Sequence, residues 1–345
     1  PRSYKRRGLA MWKDNWEATK ERYNLWWKQE GCLLHTGSTR RKQPWVNLVK
    51  PTIPKAILDR YTEPEYVAKM NEYHMTLCDY PADTLPIAPS DKGTVCLAAF
   101  LGSSQKFSES EETVWYEHCR TDIHEPIRFN PEDRTWMRMV ECLKRNHDVA
   151  DGRYLIGAPG FSSGLDTLAA LYDVQELMMF MITDRDAVIE RLNEIQQIYS
   201  EVMTTINNIN EDQWGGSAFS YFNIWGSGST TQLQCDNAAM ISVEMFNEFV
   251  APYTEKQCEL FDNVLFHVDG TQWTPQSGIE QGGDPRWYSL YKKILESGKS
   301  VQAVDVMPHE VIPLIKAVGK KGLFVNTSIE DPEEATALYR AVEAL

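Results

Sequence analysis

The feature that most constrains the fold is a rhythm in the second half of the chain, where short apolar runs ending in polar residues alternate with stretches of helical periodicity. The run "NVLFHVDGTQW", residues 263–273, places Val264, Phe266 and Val268 on one parity and Leu265, His267 and Asp269 on the other. Successive strand side chains point to opposite faces, so a strand here buries one apolar face and gathers His267 and Asp269 on the other. Upstream, "TDRDAVIERLNEIQQIYSEVMTTINN" sets Val188, Leu192, Ile195, Tyr199, Val202 and Ile206 at spacings of four and three, which is one face of a long helix. Further strands are expected at 94–100, 153–161, 218–225 and 230–235, and a helix opened by Ser242 with Glu244 in its first turn. "SVQAVDV", "HEVIPLIKAV", "GLFVNTS" and "DPEEATALYRAVEAL" then add two strand–helix units. Alternating strand and helix demands a parallel sheet covered by helices. So many repeats favour an α/β fold of the (β/α)8 TIM-type barrel kind over an open sheet.

The first 60 residues have a different character, rich in Trp and charge. "NWEATKERYNLWWKQE" reads as an amphipathic helix with Trp16, Tyr23 and Trp26 or Trp27 near one face, packed on the main body. The expected division is an N-terminal, partly helical extension over 1–93 and a barrel over 94–345, with no internal repeat and no low-complexity linker.

Charge and cysteine usage exclude several function classes. The formal net charge of −14 argues against nucleic-acid or anionic-membrane partners, which need concentrated positive surface. The "KRR" at 5–7 reads as a solvated N-terminal face. Seven cysteines without C-x-x-C spacing suit neither a zinc ribbon nor a disulfide framework, and free thiols point to a reducing cytoplasm. The apolar run Leu177–Ile182 is far below the roughly 20 residues of a membrane-spanning helix.

In a barrel of this kind the active site surrounds the carboxyl ends of the strands. Polar groups fall there in four consecutive strands: Cys235 and Asp236, His267 and Asp269, Asp305, and Asn326 to Ser328. His267 and Asp269 suit an acid–base pair, substrate contacts or ligation of a divalent metal such as zinc, with Cys235 as a third, soft ligand; the plain alternative is a buried histidine bonded to a carboxylate. Asp236 is costly to bury unpaired, which asks for a partner or a function. "GAPGFSSGLD" lacks the spacing of a nucleotide loop, but its small residues allow close approach of a ligand. Phe161 and Asp166 there would supply an apolar wall and an acceptor, and Tyr221, Phe222 and Trp225 of "YFNIWGSG" line a pocket or pack the core.

"CDNAAMISVEMFNEFVAPYTEKQCELFDNVLFHVDG", the later "GLFVNTS" and "GLDTLAALYDVQELM" resemble the uroporphyrinogen decarboxylase superfamily. The resemblance runs from about Leu97 to the C-terminus and is most similar to an uncharacterised bacterial branch near the corrinoid-dependent methyltransferases. It implies a (β/α)8 barrel and a methyltransferase-like enzyme acting on a small methylated substrate, with a corrinoid protein as partner and homo-oligomers open to it. In this reading Asp236, His267 and Asp269 are catalytic, and Phe161, Asp166, Tyr221, Trp225 and Asn326 bind substrate. The alternatives are a decarboxylase of a pyrrole-type or other small carboxylated substrate, in which Asp236 stabilises a cationic intermediate, and a non-catalytic ligand-binding barrel. Two departures stand out. The zinc-binding thiols of similar methyltransferases are replaced by Asp269 and by Asn326–Thr327–Ser328, and the decarboxylases' arginine-rich N-terminal motif is missing. Relatives also place a longer connection after H-x-D-G, whereas Gly270 is followed at once by Thr271-Gln272-Trp273. A parallel crossover needs at least about 10 residues, so either the barrel is rebuilt there or a segment is absent between Gly270 and Thr271.

Overall fold

The computed structural model describes residues 10–90, 95–107, 114–162, 164–268 and 282–345. Asp269 and the junction from Gly270 to Trp273 lie outside the described residues. Helix α1 (Trp16–Trp27) precedes strand β1 (Leu33–His35), α2 (Pro64–Thr76) precedes β2 (Ile87–Pro89), and α3 (Arg134–Ala150) precedes β3 (Leu155–Ala158). Helices α4 (Leu165–Leu171), α5 (Val174–Thr183) and α6 (Arg185–Asn210) lead to β4 (Gly216–Phe219), β5 (Ile224–Ser227) and β6 (Thr230–Gln234). Next come α7 (Val243–Phe249), α8 (Ala251–Cys258) and β7 (Asn263–His267). The chain ends with α9 (Tyr288–Glu296), β8 (Val301–Ala303), α10 (Val311–Val318), β9 (Leu323–Asn326) and α11 (Pro332–Glu343).

Local chemistry sets several of these boundaries. The Asp133 carboxylate accepts from the amides of Thr135 and Trp136 at 2.9 and 3.0 Å, capping α3. Asp331 does the same for α11, where Pro332 occupies a position whose missing N–H costs nothing. The long helix α6 buries Val188, Leu192, Ile195, Tyr199, Val202 and Ile206, as its spacing requires.

The nine strands named above form three arcs, and three further pairs of short strands form separate ladders. In the first, β1 and β8 flank β9, all parallel. In the second, β2, β3 and β4 run parallel and β5 returns antiparallel on β4. The third is the parallel pair β6–β7. The result is a mixed α/β fold in which helices alternate with parallel strands and the first strand pairs with the last. Among the described residues the ladders do not join into a closed barrel.

Two expectations change. A strand was expected over 218–225; the chain instead forms a hairpin, because Asn223 takes a left-handed backbone (φ 50°) and its amide bonds the Ser220 carbonyl at 3.0 Å. Of the strand expected over 94–100, the described residues 95–100 hold the two-residue strand Val95–Cys96 before a 3-10 turn over Leu97–Phe100. Strands β1 and β2, which lie before residue 94, pair with β9 and β3.

Helix α1 is packed as expected, burying Trp16, Tyr23 and Trp26. The Trp26 indole donates to the Gly322 carbonyl at 3.0 Å, that of Trp27 to Trp225 at 2.9 Å, and the Tyr23 hydroxyl to Asn223 at 2.7 Å. Beside it Lys13 is buried, its ammonium donating to the carbonyls of Tyr80 and Ala82 at 2.9 and 3.0 Å. Arg22 holds the buried Asp83 at 2.5 Å, and Asp83 accepts from the Leu34 amide at 2.9 Å. These contacts tie the chain just before β2 to β1. Among the described residues, no helix is long and apolar enough to cross a membrane.

Candidate active site at the strand carboxyl ends

The faces of the first arc are assigned by what each parity packs on. Leu33 and Phe324 join the core cluster that contains Tyr23 and Trp26 of α1, whereas Leu34, Val301, Ala303 and Val325 join a second cluster with Leu314 and Ile315 of α10. Alternation therefore puts His35, Asn326 and Gln302 on the inner face with Leu33 and Phe324. His35 pairs in register with Asn326 at the carboxyl ends of β1 and β9, and Gln302 pairs with Phe324 beside them.

The turn at 220–223 reaches all three arcs. Gln302 Nε2 donates to the Phe222 carbonyl at 2.8 Å, and the Phe222 ring lies 4.9 Å from the imidazole of His267 on β7 and stacks on Phe219 of β4. The Asn223 amide is fixed by Leu85, whose N–H donates to Oδ1 at 2.8 Å while Asn223 Nδ2 donates to the Leu85 carbonyl at 3.0 Å. His35 Nδ1 lies 2.9 Å from that same Oδ1. Since Oδ1 can only accept, Nδ1 carries the hydrogen and donates. Burial lowers the His35 pKa to about 4, against the opposing pull of the Asn223 bond. At neutral pH the ring is therefore uncharged and Nε2 keeps its lone pair.

A polar ladder climbs the inner face of β6. Gln232 Nε2 donates to Gln234 Oε1 at 2.7 Å, and Gln234 Nε2 donates to Asp236 Oδ2 at 3.0 Å. Gln234 is the register partner of His267, so the imidazole, the amide and the exposed Asp236 carboxylate stand together at the ends of β6 and β7.

The structure places the sequence-predicted residues in two groups. Asp236, His267 and Asn326 lie at strand ends on or beside the inner face. Asp166 is buried and accepts from the amides of Asp236 and Asn237 at 2.9 and 3.1 Å and from Asn237 Nδ2 at 2.7 Å. It latches the loop after β6 to α4, and burial raises its pKa despite these bonds. Trp225 is a core residue, fully buried, edge-on to Trp16 and donating to Asp212 at 2.7 Å. Phe161 is likewise buried, against Phe100. Tyr221, at 81 % exposure, stands in solvent at the tip of the turn. In β7 the apolar parity is not the buried one: Phe266 is 40 % and Val268 75 % exposed, while His267 faces Phe222.

Of the expected metal ligands, Asp269 lies outside the described residues and Cys235 is turned away from His267. Cys235 continues the extended chain one residue past Gln234, so it points away from His267 and toward Asp166, with Sγ 3.7 Å from Oδ1. Burial, and then the Asp166 charge, push its thiol pKa far up. No group of three His, Cys, Asp or Glu that could hold a metal occurs among the described residues.

His35, Gln302, Gln234 and Asn223 were not singled out from sequence. A signal for His35 existed: "LLHTG" at 33–37 repeats the apolar-apolar-His ending of "LFHVDG". Two atoms of this face have no partner among the described residues, Asn326 Oδ1 and Gln302 Oε1, although both are buried.

No protein-family profile matches the chain, and no curated protein matches it. Among solved structures it resembles a methyltransferase from Methanosarcina mazei, with a TM-score of 0.57 at 12% sequence identity over 94% of this chain and 98% of that one.

Proposed function

We propose that the three arcs belong to one (β/α)8 barrel of the uroporphyrinogen decarboxylase superfamily. The chain is then a methyltransferase-like enzyme acting on a small methylated substrate at the carboxyl ends of its strands. One observation carries the reading: polar side chains gather at those ends, with His35, Gln302 and Asn326 on one arc and Gln234, Asp236 and His267 on another. In a barrel of this kind the carboxyl ends of the strands are where ligands bind. The likeness to the Methanosarcina mazei protein supports the architecture.

Methyl transfer breaks the bond between the methyl carbon and its heteroatom, forms a bond from that carbon to the acceptor, and returns a proton to the leaving heteroatom. His267 is assigned as the proton donor, and Asp236, held by Gln234, as the carboxylate that polarises the substrate. A corrinoid carried by a partner protein is the acceptor in this reading, on the strength of the sequence resemblance.

The test is transfer from a panel of small methylated compounds to reduced cobalamin, followed by the cofactor's absorbance. His267→Gln and Asp236→Asn should each slow turnover roughly 100-fold or more while leaving the far-ultraviolet circular dichroism unchanged. Undiminished turnover in both variants refutes the assignment, and ligand binding without turnover of any compound makes the chain a binding protein.

A further inference from the structure

Between the short strand Thr39–Arg40 and the helix Ile57–Thr62 the chain runs as an arm over the surface. Both ends of the arm are fixed. The Trp45 indole donates to the Cys78 carbonyl at 3.0 Å and the Val46 amide to Thr76 Oγ1 at 2.9 Å, while Arg60 Nε donates to the Pro54 carbonyl at 2.9 Å. Between these anchors residues 47–53 form neither helix nor strand, and no backbone hydrogen bond joins them to the other described residues. The aliphatic side chains along the arm face solvent: Val49 is 93 %, Ile53 52 % and Leu58 50 % exposed. Clustered exposed apolar groups mark a surface that meets a partner.

Charge gathers on the same arm. The chain carries −14 overall, yet residues 38–58 hold Arg40, Arg41, Lys42, Lys50 and Lys55 and no acidic residue. Arg41 is paired with Asp79 and lies over the Trp45 ring, whereas the other four are exposed. Beyond the arm, Glu63 caps α2 and Glu65 is paired with Lys69 and Arg145. At physiological ionic strength exposed charges more than about 8 Å apart are largely screened, so a surface touching the arm meets its local charge rather than the net charge.

We propose that this arm docks the protein on a bilayer surface bearing anionic lipid headgroups. Val49, Ile53 and Leu58 enter the apolar boundary, while Lys42, Lys50 and Lys55 lay their stems along it and keep their ammonium groups among the lipid anions. The residue types favour lipid over a protein partner. Protein interfaces are anchored by aromatic residues and Arg, with Lys depleted and Leu and Val under-represented at their hot spots. Here the exposed apolar groups are aliphatic, and three of the four exposed cations are lysines. A fluid surface also needs no groove of matching shape, and its hydrated headgroup layer leaves the backbone of 47–53 bonded to water.

The probe is sedimentation of the full chain with vesicles of phosphatidylcholine alone, or of equal parts phosphatidylcholine and phosphatidylglycerol, at low and high salt. The mixed vesicles should bind the protein roughly tenfold or more better than the neutral ones, and high salt should weaken the binding. Lys50→Gln/Lys55→Gln and Val49→Ser/Ile53→Ser should each weaken it roughly tenfold, with urea midpoints unchanged because these side chains are exposed. Lys292→Gln/Lys293→Gln, at exposed positions on α9, should leave binding as it is. No sedimentation with mixed vesicles at low salt overturns the proposal, as does binding that the arm variants keep or that the α9 pair loses equally. A dimer by light scattering that the arm variants dissociate, without vesicle binding, assigns the arm to a second copy and overturns the lipid reading.

Discussion

Acidification should unfold this protein through His35 before most of its carboxylates are protonated. The imidazole is held neutral by burial, with a pKa of about 4 against 6.5 for an ordinary histidine. The folded value lies below the unfolded one, so between these two pH values the unfolded chain binds a proton that the folded chain refuses. Stability from this residue is complete above pH 6.5 and drains away as pH falls toward 4. At 1.36 kcal/mol per pH unit the loss across the window is about 3 kcal/mol, a large share of a typical domain's margin. His35→Gln removes the titration while keeping an N–H that can donate to Asn223, so wild type and variant differ chiefly in this term. Urea unfolding of both at half-unit steps from pH 7.5 to 4 should show the wild-type free energy falling about 3 kcal/mol further than the variant's. Parallel curves, or an imidazole Cε1 proton of His35 titrating near 6.5 by NMR, would refute both the burial argument and the fixed tautomer.

Two other perturbations probe neighbouring parts of the fold. Asp166→Ala leaves the amides of Asp236 and Asn237 and the Asn237 side chain without their acceptor, and should cost about 2–4 kcal/mol in denaturant unfolding; a change under about 0.5 kcal/mol would mean that the latch does not hold the loop. Lys13 has its pKa lowered by burial from 10.5 to about 7, so the unfolded chain binds the extra proton between these values and wild-type stability should climb by about 1 kcal/mol per unit as pH rises through that window. Lys13→Met should flatten this rise in urea midpoints measured at pH 7 and 9.5.

Much of the architecture was legible because it rests on periodicity. The face of α6 from Val188 to Ile206, the strand at 263–267 and the two closing strand–helix units follow from apolar spacing alone. What periodicity could not show was the reversal at Asn223, where a polar residue in a left-handed conformation turns one apolar run into two antiparallel strands. The N-terminal strands were hidden for another reason: β1 and β2 are three residues each and take their stability from partners distant in sequence. The site was legible to the same extent. His267, Asp236 and Asn326 could be found at the ends of visible strands, whereas His35 depended on recognising β1. Asp166 and Trp225 make packing and hydrogen-bond contacts that sequence could not show, because it gives residue type without direction. A carboxylate can cap a loop as readily as bind a ligand, and an indole can brace a helix as readily as line a pocket.

The pairing of β1 with β9 also bears on how the chain is made. Leu33–His35 has its ladder partner in Leu323–Asn326, and Trp26 reaches Gly322, so contacts near the start of the chain wait for residues near its end. During synthesis β1 lacks its ladder partner and Trp26 its acceptor until the segment 322–326 has emerged, and closing so long a loop delays the pairing. The other two arcs, β2–β5 and β6–β7, draw on segments closer together and can assemble earlier. Loss of the last strand would therefore strand an early one, exposing a sheet edge and buried indoles together, the combination that drives nascent chains into aggregates.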